Sequence, residues 1–89
     1  MSKAQPTVTV NYYDTTMAIT KVTSETYTVP DGGLKVSNLA KLITSRHLNT
    51  GIDGVLERSR WSVDSRMADD SFLLKGGEDV VIIPRLYGG

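Results

Sequence analysis

Leu73-Leu74-Lys75-Gly76-Gly77-Glu78-Asp79-Val80-Val81-Ile82-Ile83-Pro84-Arg85-Leu86-Tyr87-Gly88-Gly89 is the stretch on which the reading of the fold turns. Gly76-Gly77-Glu78-Asp79 makes a turn, since glycine reaches backbone angles closed to other residues and short acids support turn hydrogen bonds. Val80-Val81-Ile82-Ile83 follows, apolar at every position. Successive side chains of a strand point to opposite faces, so this run suits a central strand with neighbours on either side. Pro84 has no N–H to donate and is expected to end the ladder.

Upstream of the turn, Phe72 and Leu74 form a short apolar pair, and 65–70 reads as loop. Between Gly54 and Asp64 the pattern is ambiguous. Trp61 and Val63 share a face, but Val55 and Leu56 fall on opposite faces of any continuous strand, so a bend or bulge should separate them. Val36, Leu39, Ala40 and Ile43, extended by Leu48, repeat at the spacing of one helical stripe. Lys35 or Ser37 must cap this helix, weakly, and Asn49-Thr50-Gly51 ends it. Val8, Val10 and Tyr12 share one face of a strand over 7–13. Asp14-Thr15-Thr16 then reads as a hairpin turn into a second, irregular strand from about Ile19 to Val29. Pro30-Asp31-Gly32-Gly33 stops it. A hairpin, one helix, short strands and a last apolar strand make an α+β arrangement, with the last strand beside the first in the centre of a mixed sheet and the helix packed across it.

With 89 residues there is room for one core, because chains of this size bury only about 60–65% of their unfolded surface. A domain over 1–84 with a flexible tail at 85–89 is the expected organisation. A deep substrate pocket is hard to fit beside that core, which argues against a self-sufficient enzyme. Lys and Arg number 10 and Asp and Glu number 10, so no net field draws the molecule to nucleic acid or anionic lipid. The absence of cysteine excludes a disulfide framework, a thiolate zinc site and a cysteine nucleophile. No signal-peptide pattern follows Met1, and Val80–Ile83 is far too short to cross a bilayer. A soluble cytoplasmic protein is expected.

The stretch from Leu73 to Gly89 resembles the end of the ubiquitin-like sulfur carriers, the family of the molybdopterin synthase small subunit and the thiamin-biosynthesis carrier. There a leucine, an acidic glycine turn and an apolar strand precede a short tail ending in two glycines. Leu74, Gly77, Glu78, Asp79 and Val80 match that turn, and Gly76 stands where an aspartate is common. Val36-Ser37-Asn38-Leu39-Ala40-Lys41-Leu42 is similar to the family helix, and Trp61-Ser62-Val63-Asp64 to the strand before the turn. The ending Arg85-Leu86-Tyr87-Gly88-Gly89 is nearer to the Arg-Leu-Arg-Gly-Gly of ubiquitin, which leaves sulfur carrier and lysine-conjugated modifier both open.

The resemblance implies a β-grasp fold and a chain that is substrate and carrier, not enzyme. The reacting group would be the Gly89 carboxylate, adenylated by an activating enzyme that brings ATP and magnesium; the chain itself binds no cofactor. A sulfur-accepting synthase or a target protein would take the activated chain onward. Fully extended, Pro84 to Gly89 reaches ~20 Å, and glycine lets the last two residues pass a slot closing on bare backbone. Arg85, Leu86, Tyr87 and Gly88 are the tail positions a partner would recognise. Val80 and Ile82 share one strand face and Val81 and Ile83 the other. One helix covers one side of the sheet, and Val81 and Ile83 are the candidate docking pair on the other, although spacing leaves the parity open. The alternative is a β-grasp interaction module that never uses its carboxylate.

Other candidates have simpler explanations. His47 is the single histidine and sits, with Arg46, where a helix end favours a cation. Asp69-Asp70 and Glu78-Asp79 could be carboxylate pairs, but both fall in turns, where they serve the backbone. Arg58, Arg60, Trp61 and Arg66 interleave basic and aromatic groups as single-strand binders do, yet Glu57, Asp64, Asp69 and Asp70 surround them. Trp61 is better read as core or as an interface anchor. Gly32-Gly33 and Gly76-Gly77 lack the Lys-Ser/Thr of a phosphate loop.

Overall fold

The computed structural model describes residues 5–85. Strand β7 (Asp79–Pro84) lies at the centre of a five-stranded sheet, as its two-sided apolar run requires. On one side it pairs in parallel with β1 (Thr7–Asn11), which is hairpinned to the edge strand β2 (Ser24–Thr28). On the other it pairs antiparallel with β4 (Ser59–Val63), followed by the edge strand β5 (Arg66–Ala68). The order is β2-β1-β7-β4-β5, and a small ladder joins β3 (Leu34–Lys35) to β6 (Leu73–Leu74).

Helix α2 (Val36–Arg46) crosses one face, burying Val36, Leu39 and Ile43 against Val8, Val10, Tyr27, Leu74, Val80 and Ile82. Each such side chain contributes roughly 1.5–3 kcal/mol by leaving water. Lys35 occupies the N-cap with no side-chain bond, and the stripe ends at Ile43, since Leu48 is 66% exposed.

Three local expectations are corrected. Asp14-Thr15-Thr16 is not a hairpin turn but the start of helix α1 (Asp14–Thr20), and the second strand is only β2. Thr16 Oγ1 accepts the Tyr13 N–H at 3.1 Å and donates to the Tyr13 carbonyl at 3.0 Å, capping the first turn. The side chains this helix buries are Thr16 and Thr20, so it carries no apolar stripe to betray it. The conflict between Val55 and Leu56 is resolved by a helix, α3 (Ile52–Glu57), which buries Ile52 and Leu56 one turn apart. The segment 65–70 is not all loop. Asp64 and Ser65, at φ 50° and 70°, make a tight turn into β5.

Gly76 explains its departure from aspartate. Its φ is +124°, and a Cβ there would run into the Pro6 ring. The Glu78 carboxylate closes the same turn by accepting the N–H groups of Lys75 and Gly76 at 2.9 and 2.7 Å. Gly76→Ala is expected to cost about 1–3 kcal/mol, read as a lower urea midpoint with an unchanged slope. A cost below 0.5 kcal/mol would show that the Pro6 segment yields freely.

Candidate functional site

The face of the sheet opposite α2 settles the parity of β7. Val80 and Ile82 are buried, Val81 is half-buried and Ile83 is 42% exposed. Val81 lies between Asn11 and Ser62, and Ile83 lies opposite Arg60. Met67, opposite Ser62 on the edge strand, is 59% exposed and shares this face. Towards β2 the same face turns hydrophilic, with the cross-strand pairs Thr7–Thr28 and Thr9–Thr26. The apolar part is therefore confined to the half nearest the end of β7.

That end is also where β7 finishes. Pro84 still faces Ser59, and the Arg85 N–H donates to the Arg58 carbonyl at 3.3 Å, one bond beyond the proline. Leu86, Tyr87, Gly88 and Gly89 lie outside the described residues. From Arg85, a fully extended chain would carry Gly89 at most ~14 Å. Two depressions flank this root. Tyr13, Thr15, Val81, Ile83 and Pro84 line one of about 230 Å³. Thr15, Gly54, Val55, Arg58 and Arg85 line another of about 260 Å³. Tyr13 and Thr15 were not foreseen at the site, because Tyr13 read as the end of the first strand and Thr15 as part of a hairpin turn. The acid of Asp14 followed by Thr16 was the available signal of a helix start.

No family model and no curated protein matches the chain by sequence. Solved structures match its fold. The protein described as molybdopterin converting factor, subunit 1, of Pyrococcus furiosus superposes with a TM-score of 0.76 at 22% identity, over 92% of this chain and 100% of that one. The small archaeal modifier protein 1 of Haloferax volcanii gives 0.77 at 10% identity, over 91% and 99%. Urm1 of Trypanosoma brucei gives 0.75 at 20% identity, over 99% and 100%. The fold is the ubiquitin-like β-grasp. In a further match, with a TM-score of 0.62 at 18% identity over 93% of this chain and 99% of that one, subunit 1 of the Helicobacter pylori molybdopterin-converting factor is seen in complex with subunit 2.

Elsewhere in this β-grasp the charged candidates serve the backbone or each other. Asp69 accepts from the Ser71 N–H and hydroxyl at 3.0 and 2.6 Å, which holds its carboxyl below the ordinary range. Asp64 accepts the Asp79 N–H at 2.9 Å. His47, at the end of α2, is turned away from solvent. Its Nε2 lies 2.8 Å from Glu25 Oε1, which also accepts the hydroxyls of Tyr12 at 2.7 Å and Tyr27 at 3.0 Å. Arg46 stacks 4.0 Å above the Tyr27 ring and stands 3.8 Å from the second Glu25 oxygen. Glu25 thus fastens the C-terminus of α2 to β1 and β2 of the β-grasp sheet. Burial pushes its carboxyl up, but the bonds from His47, Tyr12 and Tyr27 outweigh that and hold it below its usual value. Burial also pushes the Tyr12 and Tyr27 phenols up. Among the described residues, no three metal-binding side chains come together.

Proposed function

We propose that this chain is a carrier activated at the Gly89 carboxylate, with Gly88-Gly89 as its working terminus, whether produced by translation or by cleavage of a longer precursor. A carboxylate oxygen attacks the α-phosphorus of ATP on the activating enzyme and expels pyrophosphate, leaving an acyl-adenylate. A persulfide sulfur then attacks the acyl carbon and AMP departs. Cleavage of the resulting sulfur–sulfur bond by a thiol leaves a thiocarboxylate on Gly89. Attack by a thiol instead, followed by a lysine amine, would make the chain a protein modifier. Sulfur transfer is the favoured branch, on the turn and strand that precede the tail.

The observation that carries this reading is the position of β7. The central strand delivers the chain to one end of the sheet, where among the described residues the Arg85 N–H bonds the Arg58 carbonyl beyond Pro84. A carboxylate four residues further on can be presented to another protein without disturbing the core. Incubation with ATP and the host's activating enzyme tests it, by pyrophosphate exchange. Intact mass of the protein from its host then separates the branches, since a terminal oxygen-to-sulfur exchange marks a carrier and a ladder of larger adducts marks a modifier.

The patch of Val81, Ile83 and Met67 is the proposed docking surface for the activating enzyme. Ile83→Asp is expected to raise the KM for activation about tenfold or more, as loss of a central apolar anchor does. Ile83 is partly exposed already, so the melting temperature should barely move. An unchanged KM would place docking elsewhere.

A further inference from the structure

A second surface lies at the β2 edge of the sheet. The Tyr12 N–H donates to the Thr23 carbonyl and the Val29 N–H to the Pro6 carbonyl, both at 2.8 Å, which fixes the phase of the β1–β2 ladder. Successive residues of an antiparallel strand turn their backbone groups to opposite sides. Glu25 and Tyr27 therefore face β1, and Ser24, Thr26 and Thr28 turn their N–H and C=O groups outward. Among the described residues only Arg46 meets these outward groups, donating to the Thr26 carbonyl at 3.3 Å. Exposed edges are ordinarily blunted by lysine, proline or a bulge. The strand Ser24–Thr28 has none of these, and its one charged side chain, Glu25, turns inward to His47, Tyr12 and Tyr27.

A groove adjoins that edge. A space of about 540 Å³ opens between the end of β2 and α2, lined by Thr28, Pro30, Asn38, Lys41, Leu42 and the buried Leu34. Asn38, Leu42 and Arg46 recur every fourth residue of α2, so they share one side of the helix. Arg46 stacks on the Tyr27 ring, which places that side along β2. Leu42 is 41% exposed there. Lys41 lines the groove and Arg46 stands one turn beyond Leu42, whereas among the described residues no carboxylate lines it. Asp31 follows Pro30 in the exposed turn. Lys41 also borders the cleft between α2 and α3, but makes no ion pair within 4 Å with Asp53, Glu57 or Asp70.

We infer that the β2 edge and this groove bind an extended, acidic segment of a partner protein. The segment adds to the five-stranded sheet beside β2, pairing with the outward groups of Ser24, Thr26 and Thr28. An apolar side chain of the segment lies against Leu34 and Leu42, and its carboxylates meet Lys41 and Arg46. A nucleic acid would satisfy the cations but offers no ladder of alternating donors and acceptors. The groove opens where β1 begins, and β7 runs parallel to β1 and away from it. It can therefore be filled while the tail is engaged, and its occupancy does not rest on activation of the carboxylate.

The probe is an acetylated, amidated hexapeptide of alternating valine and glutamate, added to the ¹⁵N-labelled whole protein. Saturable shifts are expected at 24–28 and 38–42, with slowed hydrogen exchange at the amides of Thr26 and Thr28. Thr26→Pro removes an outward N–H and no bond to β1, and proline is tolerated on an edge strand. It should raise Kd about fivefold or more. Leu42→Glu, at an exposed helical position that leaves the core alone, should raise Kd at least as much. Absence of shifts at millimolar peptide, or an unchanged Kd in Leu42→Glu, overturns the proposal. Equal binding by the valine–lysine counterpart would remove the acidic partner, and equal binding by a backbone N-methylated peptide would remove the added strand. The same shifts with hexathymidylate would make the groove a phosphate site and likewise overturn it.

Discussion

Deletion of Gly89 is expected to abolish adenylation while leaving the fold intact. The carboxylate of Gly89 is the proposed reacting group, and deletion moves it along the chain by up to ~3.6 Å. In a positioned reaction a misplacement of 1 Å can already cost on the order of 100-fold. Addition of one residue after Gly89 should be as severe. Gly88→Val should come close, because a β-branched side chain would stand in a slot shaped for bare backbone. Pyrophosphate exchange measures the loss. Melting of the same variants should agree with the parent within about a degree, as changes outside the core rarely exceed 0.5 kcal/mol. If the deleted chain still complements loss of its gene in the host, the carrier reading is wrong. The interaction-module reading would replace it, resting on the Val81–Ile83–Met67 patch.

The largest effect on stability is expected at Glu25→Ala. The change leaves the hydroxyls of Tyr12 and Tyr27 and the His47 ring without their shared acceptor, in a place only partly open to water. Orphaned donors of this kind cost about 1–3 kcal/mol each when buried, and relaxation toward solvent brings the sum to roughly 2–3 kcal/mol. For a domain of this size that lowers the melting temperature by about 10–20 °C. Glu25→Gln keeps an acceptor and should lose about half as much.

The pH dependence has a definite sign. Glu25 titrates lower in the folded chain than its usual 4.5, so its contribution is present above about 4.5 and fades as the pH falls through the folded value. The gap between parent and Glu25→Gln, measured by urea unfolding, should therefore narrow on acidification from pH 7. A gap that widens would mean that the carboxylate is strained by its burial. Ile83→Asp probes another surface, so neither outcome can stand in for the other.

Much of this molecule was legible because its large elements repeat apolar residues at a single period. Val80 to Ile83 announced a central strand, Val36, Leu39 and Ile43 a helix, and Val8, Val10 and Tyr12 a half-buried strand. The elements that went unread lack that signal. Helix α1 buries two threonines, and its cap is a hydroxyl folding back on the preceding backbone. The turn before β5 uses Asp64 and Ser65 at positive φ, where asparagine and glycine are the usual markers. The candidate site was half legible for the same reason. The strand and the tail are continuous in sequence, whereas Tyr13, Thr15, Gly54 and Arg58 come to the root of the tail from two other segments.

By itself, then, the sequence determined the order of the main elements and the central place of β7. These follow from local periodicity and from the residue types themselves. Only the tertiary structure decided which parity of β7 faces outward and that His47 closes on Glu25. Each of those depends on which side of a sheet a helix settles, and on side chains separated by many residues along the chain. No periodicity encodes such distances; they are set when the whole core packs at once.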